Sequence, residues 1–441
     1  MSAGHNRFAA SRAYRAYVLA LLVAVGVVGW VDRNVLAALL QSIKGDLALS
    51  DTELGLLGGV AFGVFYATVG LPIAWLADRW ERRSLIALAV GLWSAMTAAC
   101  GIAGSFAGLF LARIGVGIGE AGGSPPSVSL VADYFGPERR ARALGILYLQ
   151  IPCGFVVGYL SGGWLDELVG WRLTFLLVGL PGIALALLVR LSLREPPRGH
   201  SEGSTDSATR APTLAATIRY FLKQPPLRYL PLAGAVHGVG AFAAALWLPA
   251  YFMRSFSVTS ATAGTWLAIA YGLGGAAGVL CGGQIADRLV AITRDARWYA
   301  RGCAIVIAAA LPCSALVYVA DEAPVAVAAL VVATLLSHMF LGPVAALLQN
   351  LAGVRHRATA AAFYLFFVNL VSMGLGPLSV GFASDRLGTL FGTDALRYSL
   401  LAIVTTTSLG ACWLFLIAAR KMPRDSLGSC TRDSTSASLA H

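Results

Sequence analysis

Four charged residues stand where the surrounding sequence is apolar: Asp32 and Arg33 in the run 17–40, and Arg113 and Glu120 in the run 109–131. Each run is long enough to cross a bilayer, and each acid falls near its middle. A carboxylate at the centre of hydrocarbon costs about 2.5–3.5 kcal/mol even on lenient insertion scales. Such a residue persists when it faces a wet cavity, pairs with a cation or takes up a proton. The residue types therefore point to a membrane carrier that moves protons along with its substrate. Asp32 and Glu120 are the candidate proton-coupling pair, and Arg33 and Arg113 the candidate charge switch or substrate ligands. A permanently ionised structural network is the alternative.

Spacing constrains what these groups can do. Arg113, Gly117, Glu120 and Ser124 follow i, i+4, i+7, i+11 and are expected on one helix face. At about 1.5 Å rise per residue, Arg113 and Glu120 lie ~10 Å apart along the axis, too far for a direct bond. Asp32 and Arg33 diverge by about 100° around their helix. Arg33 is thus expected to bond to Glu120 in one state and to a substrate anion or Asp32 in another.

The elements that must position them are membrane helices. The 441 residues are 57% hydrophobic and only 12% charged, with mean hydropathy +0.72, a composition outside the soluble range. Apolar stretches of spanning length recur at about 15–41, 53–77, 84–104, 107–132, 141–164, 172–193, 229–252, 262–285, 300–319, 325–351, 359–383 and 396–419. An all-α polytopic protein of twelve transmembrane helices is expected. The basic N-terminus leads into an apolar run too long for a cleavable signal.

Net charge +11 invites a nucleic-acid reading, which the placement of the charges excludes. With the N-terminus in the cytoplasm, 26 of the 33 Lys and Arg fall on that side. That is the positive-inside pattern, with both termini cytoplasmic, and it suits a bacterial plasma membrane. Seven cysteines show no metal-ligand or disulfide spacing and read as packing residues. The polar stretch 194–224 reads as a cytoplasmic linker with one short interfacial helix at 214–223. It divides a six-helix bundle, 1–193, from a second, 225–422, and 423–441 reads as a disordered tail.

The halves echo each other. Asp78-Arg79, followed by Arg82 and Arg83, closes span two as Asp287-Arg288 closes span eight; Asp166 closes span five as Asp385 closes span eleven. Ala74-x-x-x-Asp78-Arg79-x-x-Arg82-Arg83 resembles the cytoplasmic loop signature of the major facilitator superfamily, with Ala74 and Glu81 in place of its usual glycines. Within that superfamily, Val31-Asp32-Arg33-Asn34 with Gly117-Ile-Gly119-Glu120-Ala121 resembles the Spinster family, as do the turn from Phe135 to Ala143 and the Gly170-Trp171-Arg172 entry to span six. The resemblance implies two six-helix bundles related by a pseudo-two-fold axis and alternating access. It also implies proton-linked transport of an amphipathic, lysophospholipid-like or sphingoid-phosphate-like substrate.

A cytoplasmic gate is expected from Asp78, capping span eleven, and Arg79, pairing with Asp133, helped by Arg82 and Arg83; Asp287 and Arg288 are the weaker second copy. His237 and His338 are the titratable groups of the second half and read as packing residues. Trp247, Tyr251, Phe363, Tyr364, Phe366 and Phe367 make that half aromatic, able to shelter an acyl chain. A headgroup competing with a proton for Arg33 would give exchange. No nucleotide motif marks an ATP-driven pump and no catalytic motif marks an enzyme; the GxGxxG match at 117–122 lies inside a helix. No cofactor beyond the proton is expected, and the expected partners are the bilayer and a small amphiphile bound by a monomer. A proton-coupled drug antiporter or a symporter of small organic anions is the alternative.

Overall fold

A computed structural model describes residues 11–77, 79–197, 219–221 and 223–422. The expectations for Asp78, for most of the linker and for the tail fall outside the described residues. Every described element is a helix. α1 (Arg12–Leu47) runs from the linker end of the molecule to the opposite, distal end. α2 (Asp51–Gly58) and α3 (Val60–Ala77) return together as one span. α4 (Arg82–Gly101) crosses again, and α5 (Phe106–Glu120) with α6 (Ser124–Tyr134) makes the fourth span.

α7 (Pro137–Tyr148) leads into α8 (Gln150–Ser192). At about 1.5 Å per residue, 43 helical residues would run ~65 Å, twice the hydrocarbon thickness. Gly170 solves this, with φ 78° and ψ 164°. A side chain is strained at that φ and glycine is not, so α8 folds back and supplies spans five and six.

The second half repeats the plan. It comprises α9 (Pro225–Phe256), α10 (Ser260–Ile269), a π-helical turn (Ala270–Gly275) and α11 (Ala276–Thr293), followed by α12 (Arg297–Val319), α13 (Ala323–His338), α14 (Leu341–Phe391) and α15 (Ala395–Lys421). The 51-residue α14 supplies the end of span ten and all of span eleven. Twelve crossings result. Side-chain caps fix several short distal turns: Ser50 and Glu53 form a capping box on α2, Ser105 caps α5 and Thr259 caps α10.

The buried apolar residues fall into three clusters, and their placement gives the shape. One is shared between the halves at the distal end and includes Val35, Leu57, Trp247, Tyr251 and Val380. The other two lie toward the linker end. Leu22, Ile86, Val131 and Val189 form one within the first half; Leu227, Ile307, Leu347 and Phe415 form the other within the second. The halves therefore converge distally and part toward the linker.

Candidate functional site

The four intramembrane charges gather in the first half, and the expected bond between Arg33 and Glu120 is present. Arg33 Nε donates to Glu120 Oε2 at 2.6 Å. Its guanidinium also sits in an aromatic box, 4.8 Å from the Trp30 ring, 4.8 Å from Phe62 and 4.7 Å from Tyr66. Arg113, 2% exposed, stacks 5.3 Å from the Phe62 ring. Its Nε and Nη1 have no hydrogen-bond partner among the described residues. The ~10 Å offset from Glu120 along α5 accounts for this.

Asp32 departs from expectation. It is fully buried, and neither carboxylate oxygen has a hydrogen-bond partner among the described residues. Rather than facing a wet cavity, it points at α4. The Thr97 hydroxyl lies beside it, just outside hydrogen-bond geometry. Thr97, Ser94 and Trp93 sit close together on α4, and each carries a buried polar atom without a partner, as does Glu120 Oε1. These α4 groups went unrecognised in the sequence, because three residues of an apolar helix carry no signal of what faces them.

The second departure concerns Ser124. α5 ends at Glu120, and the chain turns through Ala121, Gly122 and Gly123 before α6 begins. Two glycines disfavour helix, and Pro125 and Pro126 lack N–H groups to continue the ladder. Ser124 is therefore exposed and off the Arg113–Glu120 face. Glu120 is the last residue of α5, immediately before the break. The glycines before it do permit close packing: a Cβ at Gly119 would lie 2.7 Å from the Trp93 backbone nitrogen, and one at Gly117 2.7 Å from the Phe62 carbonyl oxygen.

Between the halves at mid-depth is a cavity with Arg33, Arg113 and Trp30 on one wall and Phe242, Leu246 and Met373 on the other. One wall is cationic and aromatic, the other apolar. The second-half aromatics expected to serve an acyl chain mostly serve packing. Trp247 is buried and donates to the Pro377 carbonyl at 2.9 Å, and Tyr251 donates to Val317 at 2.7 Å. Phe363 packs on Phe221 and Phe367. His237 is buried against the Phe340 ring at 4.6 Å, and His338 Nδ1 donates to the Thr334 carbonyl at 2.8 Å. Both lie in the second half, away from the four charges.

At the linker end the expected Arg79–Asp133 pair is replaced. Arg82, 1% exposed, bonds to Asp133, to Glu195 at 2.7 Å, to Ser129 at 2.9 Å and to the Pro196 carbonyl at 3.1 Å. Arg83 pairs with Glu81 and donates its backbone N–H to Glu195 at 3.0 Å. The Ser84 hydroxyl, and after it the Arg83 charge, hold the Glu81 carboxyl below its ordinary range. Arg79 is exposed and lies 3.9 Å over the Trp75 ring. Being buried and one turn further along, Arg82 reaches Asp133 where Arg79 points outward. Asp287 accepts from Tyr299 at 2.8 Å within its own half, and Arg288 is exposed.

A further cluster, at the distal end, joins the halves. Asp51 accepts two bonds from Arg254, at 2.7 and 2.8 Å, one from Lys44 at 2.5 Å and one from Ser384 at 2.6 Å. Asp385 in turn accepts the backbone N–H groups of Asp51 and Thr52 at 3.0 and 2.7 Å, capping α2. On the opposite seam, Ser260 donates to the Gly163 carbonyl at 3.0 Å and Tyr159 to Ala245 at 2.6 Å.

The Major Facilitator Superfamily family model matches residues 21–377. A crystal structure of a bacterial homolog of the human lysosomal transporter Spinster, inward-facing and unoccupied, superposes with TM-score 0.83 at 29% identity, covering 94% of this chain and 99% of that one. An MFS-type efflux pump of Mycolicibacterium smegmatis is 32% identical over 424 residues, 95% of this chain and 96% of that protein. Human protein spinster homolog 1 is 31% identical over 251 residues, 56% of this chain and 47% of that one.

Proposed function

This chain belongs to the Major Facilitator Superfamily and is a transporter of its Spinster type; from that premise we propose that it carries a phosphate-bearing, lipid-like amphiphile coupled to protons. The observation that carries this reading is the Arg33–Glu120 bond at the edge of a cavity with one cationic and one apolar wall. A planar guanidinium binds two phosphate oxygens well, and Phe242, Leu246 and Met373 offer contact to an alkyl chain. The protein is read as multi-pass in a bacterial plasma membrane, with both termini cytoplasmic and the cavity opening toward them. Rocking of the halves would then supply alternating access.

The bond also bears on the sign of coupling. Competition between headgroup and proton for Arg33 implies exchange, but the geometry supports the reverse. A phosphate that draws Arg33 away leaves Glu120 buried and unpartnered, and a carboxylate in that position is costly unless it takes a proton. Conversely, a proton on Glu120 releases Arg33 to the headgroup. Substrate and proton thus favour each other's binding. Asp32, which touches no cation, is the second proton-carrying group.

The test is proton movement on binding in weak buffer. Adding a lysophospholipid to the purified protein should take up about one proton per substrate bound, by the reciprocity of linked equilibria. Glu120→Gln should remove that uptake while retaining binding, and Asp32→Asn with Glu120→Gln should abolish pH-driven uptake into vesicles. Proton release on binding would overturn the sign. Equal binding of the dephosphorylated analogue would overturn the headgroup assignment and favour a hydrophobic-drug carrier, the reading closer to the efflux-pump relative.

A further inference from the structure

A second cleft lies far from the charged cavity, at the distal end of the seam where α8 of the first half meets α10 of the second. Its walls include Trp164 and Glu167 from α8, and Thr262, Thr265 and Trp266 from α10. It is open to the surroundings on one side. Trp164 and Glu167 are three residues apart on α8, and Thr262 and Thr265 three apart on α10, so each pair presents one helix face. The Trp164 indole donates to Thr265 Oγ1 across the seam at 3.2 Å, and Trp266 is fixed edge-on against Phe252 at 5.6 Å.

The chemistry of the walls selects a ligand. Indole faces and a carboxylate attract an ammonium group. Thr265 gives its hydroxyl proton to the Ala261 carbonyl at 2.8 Å, but of the paired Thr259 and Thr262 hydroxyls one proton is left for a phosphate oxygen. Among the described residues no basic side chain lines the cleft, which disfavours a purely anionic headgroup. The depth also fits a lipid. The cleft lies beside the distal α8 turn at Gly170 and the first turn of α10, the level of lipid headgroups. Apolar side chains exposed beside it, Leu168 on α8 and Ile269 on α10, can meet acyl chains.

Resting on the reading that the halves rock, we propose that this cleft binds the ammonium-bearing headgroup of a bilayer phospholipid of the phosphatidylethanolamine class. Because its two walls belong to different halves, the site is complete only while the distal end is closed. Its occupant therefore favours the state that opens toward the linker, by as much as its affinity differs between the two states.

Two measurements test this. Native mass spectrometry of the purified protein should find phosphatidylethanolamine retained about tenfold better than phosphatidylglycerol, a preference lost in Trp164→Ala and in Glu167→Gln. Trp75→Ala, an exposed tryptophan at the other end, should leave it intact. In nanodiscs, spin labels at Ile102→Cys and Glu322→Cys, with the native cysteines replaced by serine, read the distal separation. Replacing phosphatidylglycerol by phosphatidylethanolamine should raise the closed-to-open ratio about tenfold, and Glu167→Gln should cancel the change. Equal retention of the two lipids, or variants that bind like the parent, would overturn the site. Displacement of the lipid by a lysophospholipid would assign the cleft to cargo and overturn it as well. Distances that respond to lysophospholipid but not to bilayer composition would overturn the state preference. Distances that respond to nothing would instead count against rocking, with the mass-spectrometric result still deciding the site.

Discussion

At the scale of the residue, Arg33 does two jobs that a generic cation could not combine. Its Nε–H holds Glu120, and its flat face fits among Trp30, Phe62 and Tyr66. Lysine keeps the charge but loses the planar stack and the second donor direction. Arg33→Lys should weaken lysophospholipid binding about tenfold, in line with ~1–2 kcal/mol for desolvated cation–π contacts. Calorimetric titration of both proteins checks it, and an unchanged affinity would remove Arg33 from headgroup recognition. The identity of the four charges was legible from sequence because ionisable residues inside apolar runs are so costly. Their directions were not. Asp32 faces α4 rather than the cavity because helix rotation is set by packing, and nothing local in the 17–40 run encodes it.

At the scale of the element, the informative case is the fourth span. Its apolar run is continuous in hydropathy, so it reads as one helix, yet Gly122, Gly123, Pro125 and Pro126 break it just after Glu120. The signal was present as residue types and was masked by their apolarity. By contrast, the twelve crossings were legible because a spanning helix needs about 20 apolar residues whatever it packs against. The position of Glu120 depends on α5 lying close to α4 at Gly119, where a side chain would meet Trp93 backbone. Gly119→Ala should destabilise the protein by about 1–3 kcal/mol and lower the melting temperature, through overpacking. Gly108→Ala on the same helix meets only ordinary contacts at 3.6 Å or more, and should be neutral or stabilising because alanine is the better helix former. Equal melting shifts for the two variants would mean that the α4–α5 approach does not constrain the site.

At the scale of the whole molecule, the two distal seams are alike in plan and unlike in chemistry. Asp385 caps α2 at one, beside the Asp51–Arg254 ion pair, while hydroxyl-to-carbonyl bonds close the other. Sequence revealed the matching segments around Asp166 and Asp385. It could not reveal that Asp51, Arg254 and Asp385 meet, since they come from three distant parts of the chain. Arg254→Ala removes three bonds between the halves, two to Asp51 and one to Gln41 at 2.8 Å, but leaves Lys44 on Asp51. A loss of roughly 1.5–3 kcal/mol, typical of charged hydrogen bonds, should move the population toward distal opening by about ten- to a hundredfold. Spin labels in the distal loops would report this as a longer separation, and an unchanged distribution would mean that the ionic seam does not hold the distal end shut. The three apolar clusters carry one more implication, for how the protein is made. Apart from Met373 and the flanking Phe242, the first-half cluster draws on residues up to Leu193, so it can consolidate while the second half is still being synthesised. The shared distal cluster needs Leu396 and Leu400, which belong to the twelfth span and emerge from the ribosome after the other eleven. Biogenesis therefore ends on the same surface that transport must reopen.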